Sequence, residues 1–337
     1  MIFRRTIFDG ILFAFLLAVL AVALFVSSEE QLLNLQLVSL ISVAFFAVGC
    51  GISVLLRKNK VTTLGDVLFK TAAPTLADKA WYRRFWGWQL LVSLAVAFIV
   101  ALLKTEFSFI EIFDENGFAG AVRLFKGLLD PNWAVLPRAV LNIVETIFMA
   151  FLATSLAIPV AFVLSFLCAK NIMKGPWAQS VYFVLRTMLN ITRSIEALIW
   201  AIIFSVWVGI GPFAGMLALM VHSVASLAKQ YSEMVEAVEE GPIEAIESTG
   251  ANKLQTIWYA IVPQVLLPYI SFTVYRWDIN VRMATIIGLV GGGGIGTMLV
   301  QYQGQAMWRE VGCIIAVIAV VVWALDLASA HIREALK

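Results

Sequence analysis

The sequence predicts an all-α, polytopic membrane protein with about eight transmembrane helices. Three observations carry that reading. Of the 337 residues, 61% are hydrophobic and 14% charged, against about 45–50% and about 25% in ordinary soluble domains. The mean hydropathy is +0.90. The apolar residues also fall in blocks long enough to cross a bilayer core, which takes roughly twenty residues per helix.

In chain order the first block, 8–26, follows the basic pair Arg4 and Arg5. It is long for a cleaved signal segment and reads as an uncleaved first helix. Blocks 36–56 and 87–103 follow, the latter short. Blocks 138–168 and 178–209 exceed one crossing and imply tilt or extension beyond the bilayer. Blocks 212–230, 264–289 and 311–330 complete the set. Segment 107–130 alternates apolar and charged residues and reads as an amphipathic helix on the outer surface, with a structured loop as the alternative. No strong internal repeat is visible. The chain divides into an accessory region, 1–137, with three spans and an external loop, and a five-span core, 138–337.

Lys and Arg in short loops mark the cytoplasmic side. Loop 57–84 carries Arg57, Lys58, Lys60, Lys70, Lys79, Arg83 and Arg84, and loop 169–177 carries Lys170 and Lys174. Arg333 and Lys337 lie at the C-terminal end, whereas loop 27–35 has Glu29 and Glu30 and no basic residue. Loop 104–137 mixes signs, with Lys104, Glu106, Glu111 and Glu115 among its charges. Eight spans with both termini inside put every strongly basic loop in the cytoplasm. Trp81, Tyr82, Trp86, Trp88, Trp133, Trp177 and Trp308 fit interfacial aromatic belts.

Several chemistries are excluded by composition. Cys50, Cys168 and Cys313 are odd in number and scattered, which argues against a disulfide framework or a metal site. Two histidines cannot build a multi-histidine metal centre, and no Ser-His or Cys-His set stands at useful spacing, so neither catalytic nor metal residues are expected. The run Gly291, Gly292, Gly293, Gly294 with Gly296 looks superficially like a phosphate loop. It lacks the Lys and a preceding strand, so it reads as a tight turn or an outer gate.

The seventh block contains Tyr275, Arg276, Asp278, Asn280 and Arg282, with Asp278 at its centre. An ionisable group there costs at least about 2.5–3.5 kcal/mol on insertion scales. Asp278 and Arg282 are i,i+4, acid first, the better order for a pair. Arg276 and Asn280 fall on the roughly opposite face, so Arg276 lacks an acid on its own helix. Two readings stay open: an interhelical pair with Glu145 or Glu196, or an anion-attracting cavity, since the guanidinium fork matches oxyanions. Arg193 and Glu196 are i,i+3 and read as mutually neutralising, while His222 reads as a packing residue and Lys229 with Glu233 as a solvated pair.

The island 244–263 separates two apolar blocks. Pro242 suits the first turn of a new helix, and Glu244 and Glu247 sit where the macrodipole favours negative charge. Gly250 suits a left-handed C′ position, and Asn252 with Gln255 forms a capping box for the next helix. Small Ala245 and Gly250 would admit a partner's backbone; an ordinary polar loop is the alternative.

Glu244-Ala245, Gly250 and Pro263, thirteen residues beyond that glycine, resemble the cytoplasmic coupling loop of ABC-importer permeases. Ile246, Ala260 and Val262 depart from the usual pattern. The element Tyr275-Arg276-x-Asp278-x-Asn280-x-Arg282 and the glycine run after Gly288-Leu289-Val290 are similar to the permease subunit of phosphonate ABC importers. Arg193-Ser194-Ile195 and Leu198-Ile199-Trp200-Ala201 fit too, although Glu196-Ala197 stand where Pro-Glu is usual. The similarity covers 138–330. It implies a type I importer permease in a bacterial inner membrane, with no cofactor on this chain, and ATP and Mg used by a separate cytoplasmic ATPase dimer. An external substrate-binding protein, a second permease protomer and surrounding lipid would be the other partners; no nucleic acid is expected. Glu244, Ala245 and Gly250 would transmit ATPase motion, and Arg276 and Arg282 would set the cavity's charge. The cargo implied is phosphonate, phosphite or phosphate. A methionine permease is the near alternative, and an ion-coupled secondary transporter or channel the distant one.

Overall fold

A computed structural model describes residues 2–25, 35–59, 61–69, 81–105, 108, 110 and 113–335. Glu29, Glu30, Lys60, Lys70, Lys79, Glu106, Glu111 and Lys337, and the side chains of Arg83, Lys104 and Glu115, lie outside the described residues. Every regular element among the described residues is helical. The chain forms two compact units, Met1–Asp114 and Glu115–Lys337.

The first unit holds α1 (Ile2–Phe25), α2 (Leu35–Lys58), the short α3 (Leu64–Leu68) and α4 (Phe85–Lys104). The helices α1 and α2 pair antiparallel, with Ser53 of α2 donating to Asp9 of α1 at 3.1 Å.

The second unit begins with α5 (Glu115–Leu129), so the amphipathic segment is helical over part of 107–130. It packs on the last helix, α14 (Trp308–Ala335), with an Arg309–Asp130 ion pair of 3.0 Å beside the contact. The long α6 (Leu136–Leu167) is central and packs against α9 (Pro212–Glu236) and α12 (Val262–Ile287). Alanines line the seam: Ala150, Ala153, Ala157 and Ala161 of α6 and Ala214, Ala218 and Ala228 of α9 are fully buried. Without water to drive them together, membrane helices associate through such close packing of small residues. Pro159 and Pro268 lie inside α6 and α12, where neighbouring helices can satisfy the freed carbonyls.

One expectation is corrected. The block 178–209 is not one continuous helix: α7 (Pro176–Ser194) and α8 (Ala197–Val208) meet at 90°. Ile195 and Glu196 are extended there, so the i→i−4 ladder stops without Pro or Gly. The same break overturns the Arg193–Glu196 reading, because i,i+3 neighbours require one continuous helix. Six helices among the described residues are long and apolar enough to cross a membrane, or seven if the bent pair is one span. The count of about eight is not reached among them.

Helix α10 (Glu240–Glu247) is followed by α11 (Lys253–Thr256), a π turn at Ile257–Ile261 and α12. The glycine run leads into α13 (Gly294–Gly304), a helix the sequence did not announce. At this crossing Gly288 and Gly296 touch backbone to backbone. A Cβ on Gly288 would lie 2.5 Å from the Gly296 Cα, and one on Gly296 would overlap the Thr285 carbonyl oxygen. Gly296→Ala should therefore destabilise the purified chain by about 1–3 kcal/mol or more. Gly304→Ala, at the open end of the same helix, should not. Thermal unfolding in detergent checks this, and equal midpoints for the two variants would contradict the close crossing.

Candidate coupling loop and membrane-embedded polar site

The island is built as its caps require. Asn252 Oδ1 accepts from Gln255 N at 2.9 Å, and Gln255 Oε1 accepts from Asn252 N at 2.8 Å. Helix α10 starts at Glu240, which places Pro242 within the first turn as expected. Its C-cap is Ser248, so Gly250 sits one residue beyond C′, left-handed at φ +83°. Glu244, Ala245, Gly250 and Pro263 are all exposed, while Ile243 and Ile246 are half-buried. Ile243 packs on the apolar core around Tyr231 and Tyr269 and anchors the helix from beneath. Glu244 and Glu247 face a cavity of about 380 Å³ shared with Lys174, Glu236, Glu240 and Lys253. Glu236 also pairs with Arg186 at 2.7 Å and accepts from Lys170 N at 2.9 Å, tying the end of α9, beside the island's cavity, to α7 and to loop 169–175. Sequence reasoning missed this tie, because its members lie 50 and 66 residues apart.

The polar residues of α12 divide between two faces, as their spacing requires. Arg276 and Asn280 point between α6 and α9. Arg276 is 7% exposed. Its Nε donates to Ser223 Oγ at 3.1 Å, and its Nη2 lies 2.5 Å from His222 Nδ1. Asn280 donates to the hydroxyls of Thr154 and Ser223, at 2.8 Å each. Among the described residues no carboxylate lies within ion-pair distance of Arg276. Glu145 lines a separate cavity, and Glu196 stands exposed at the α8 N-cap, its field reaching Arg276 and His222. His222 is thus more than packing: it is a direct partner of Arg276. The only signal in the chain was an isolated polar residue in an apolar block.

The opposite face meets α14. Asp278, 5% exposed, pairs with Arg282, which also reaches Asp326 at 3.1 Å. Arg333 lies 5.5 Å from the centre of the Tyr275 ring. Asp326, the lone acid of the last apolar block, was not singled out from the sequence. Lys229 and Glu233 form the expected pair at 3.8 Å.

Gly291, Gly293 and Gly294 adopt φ values of +85°, +78° and +67°. They border a cavity of about 400 Å³ that also holds Arg138, Glu145 and Gln301. Thr146 Oγ1 accepts from Ile295 N at 2.9 Å and pins the start of α13 to α6.

The profile of the family described as binding-protein-dependent transport system inner membrane component matches residues 161–337. The chain belongs to this family. The permease is 32% identical over 254 residues to the phosphite transport system permease protein PtxC of Stutzerimonas stutzeri, covering 74% of this chain and 90% of that one. It is 36% identical over 222 residues to the phosphate-import permease protein PhnE of Mycolicibacterium smegmatis, covering 66% of this chain and 41% of that one. Among solved structures, an inward-facing form of the MetNI methionine ABC transporter aligns with TM-score 0.53 at 22% identity, over 61% of this chain and 99% of that one. That likeness shows a shared permease fold. The matched region contains the island, both faces of α12 and the glycine run. As a membrane component of such a system, the permease is a conduit and not the ATPase.

Proposed function

We propose that this permease carries a phosphorus oxyanion (phosphonate, phosphite or phosphate) into the cell by alternating access. The observation that carries the reading is Arg276, a buried guanidinium whose hydrogen-bond partners, Ser223 and His222, bring no carboxylate. A cation held in the membrane without an acid retains the capacity to attract an anion. Relatives named for phosphite and phosphate import support the cargo class.

In this reading Tyr275, Arg276, Asp278, Asn280 and Arg282 line the substrate path, and Gly291–Gly294 with Gly296 form the outer gate. Glu244, Ala245, Gly250 and Pro263 dock a cytoplasmic ATPase dimer that uses ATP and Mg. An external binding protein delivers the cargo, and a second protomer completes the pore. Both termini are cytoplasmic in a bacterial inner membrane, and residues 1–137 are accessory to the core at 138–337.

The test is ATP hydrolysis by the complex reconstituted with its ATPase and binding protein. Methylphosphonate, phosphite, phosphate and methionine are compared as stimulants. Stimulation by phosphorus oxyanions alone is expected; stimulation by methionine instead would overturn the cargo while keeping the permease.

A further inference from the structure

The first unit contains a buried ionic knot that the transport reading does not use. Arg5 and Asp9 of α1 are 2% and 0% exposed. Arg5 Nε lies 2.7 Å from Asp66 Oδ1 of α3 and 3.7 Å from Asp9. Asp9 accepts from Ser53 of α2, from Thr63 Oγ1 and from Gly65 N, at 3.1, 2.5 and 3.0 Å. Gln89 of α4 accepts from Leu64 N at 2.9 Å. The start of α1, the end of α2 and the start of α4 are thereby fastened to one end of the unit around α3.

The knot has an electrostatic consequence. Asp9 and Asp66 are the only acids among the described residues of 2–105, and both are buried in it. What remains outside at this end, among the described residues, is cationic. Arg4 at the head of α1 and Arg57 and Lys58 at the foot of α2 are exposed, and Arg84 caps α4. The Arg84 Nε is buried without a hydrogen-bond partner among the described residues, while its side chain as a whole is partly exposed. Trp81, Tyr82 and Trp88 are 48%, 51% and 59% exposed beside it. Such amphipathic rings settle at headgroup depth.

We infer that this end of the first unit binds the phosphate groups of anionic phospholipids. The cations are spread over three helix ends, each at the edge of an apolar span. That arrangement matches a sheet of headgroups better than one small ion. Each basic side chain near an anionic surface contributes about fivefold in affinity. The assignment is independent of the cargo, and its test does not read transport.

Native mass spectrometry of the full chain in mild detergent, titrated with phosphatidylglycerol or phosphatidylcholine, provides that test. The chain should retain phosphatidylglycerol in preference to phosphatidylcholine. The combined Arg4→Gln, Arg57→Gln and Lys58→Gln substitutions lie outside the knot. They should weaken phosphatidylglycerol binding roughly a hundredfold and leave phosphatidylcholine binding unchanged. Arg84→Gln alone should weaken it about fivefold. Equal retention of the two lipids, or undiminished phosphatidylglycerol binding by the combined variant, would overturn the inference. Displacement of phosphatidylglycerol by millimolar inorganic phosphate would replace the lipid with a free oxyanion and overturn it too.

Discussion

Arg276→Ala should lower oxyanion-stimulated ATP hydrolysis about 10–100-fold while the complex still assembles. The magnitude follows from the loss of charge-assisted hydrogen bonds, about 1.5–3 kcal/mol, which converts to that range at about 1.4 kcal/mol per factor of ten. Survival of assembly follows from the partners. Had Arg276 formed an ion pair, its removal would leave a buried carboxylate uncompensated, at about 3–5 kcal/mol. Ser223 and His222 carry no such charge, and Ser223 keeps Asn280 as a partner. Arg276→Lys should be intermediate, because it retains the charge and loses the planar fork. The measurement is half-saturating substrate and maximal hydrolysis for each variant, beside the yield of intact complex on gel filtration. If the yield collapses while hydrolysis per intact complex is unchanged, Arg276 is structural and the cavity reading fails.

Replacing Gly250 should separate folding from coupling. The residue is left-handed at φ +83°, yet a Cβ there would meet nothing within 4 Å. Gly250→Val therefore brings no clash within the chain, only a backbone penalty of about 1–2 kcal/mol. The chain should fold with a modest loss of stability, and basal ATP hydrolysis should persist. Substrate-stimulated transport should fall about tenfold or more, because the turn that in the proposed docking site presents Glu244 and Ala245 to the ATPase would be redirected. Gly250→Asn tests which property matters, since Asn visits the left-handed region more readily. Coupling kept by Asn and lost by Val assigns the effect to backbone conformation. Loss in both assigns it to bulk at the docking face. Full coupled transport in both variants would remove Gly250 from the docking site.

Much of this protein was legible in its chain because the signals are local. Membrane residency follows from composition, and most span positions from block length. The capping box at Asn252 and Gln255 needs only three residues of separation, and it forms as read. The division of Arg276 and Asn280 from Asp278 and Arg282 is a property of one helix turning about 100° per residue. The family resemblance around the island and α12 was legible for the same reason, since it rests on short contiguous motifs.

Tertiary structure decided whatever depends on partners far away in sequence. The 90° break at Ile195 and Glu196 bears no Pro or Gly and interrupts a block that stays apolar beyond it. His222 and Ser223 meet Arg276 across 54 and 53 residues, and Asn280 meets Thr154 across 126. Asp326 joins Arg282 from another helix, and Arg5 finds Asp66 inside the first unit. A chain encodes periodicity and caps over one or two turns. Which of several isolated polar residues in apolar blocks become neighbours is set by how alanine-lined helices pack. In a medium where every buried polar group must find a partner, that packing decides whether a charge is neutralised or left able to attract an anion.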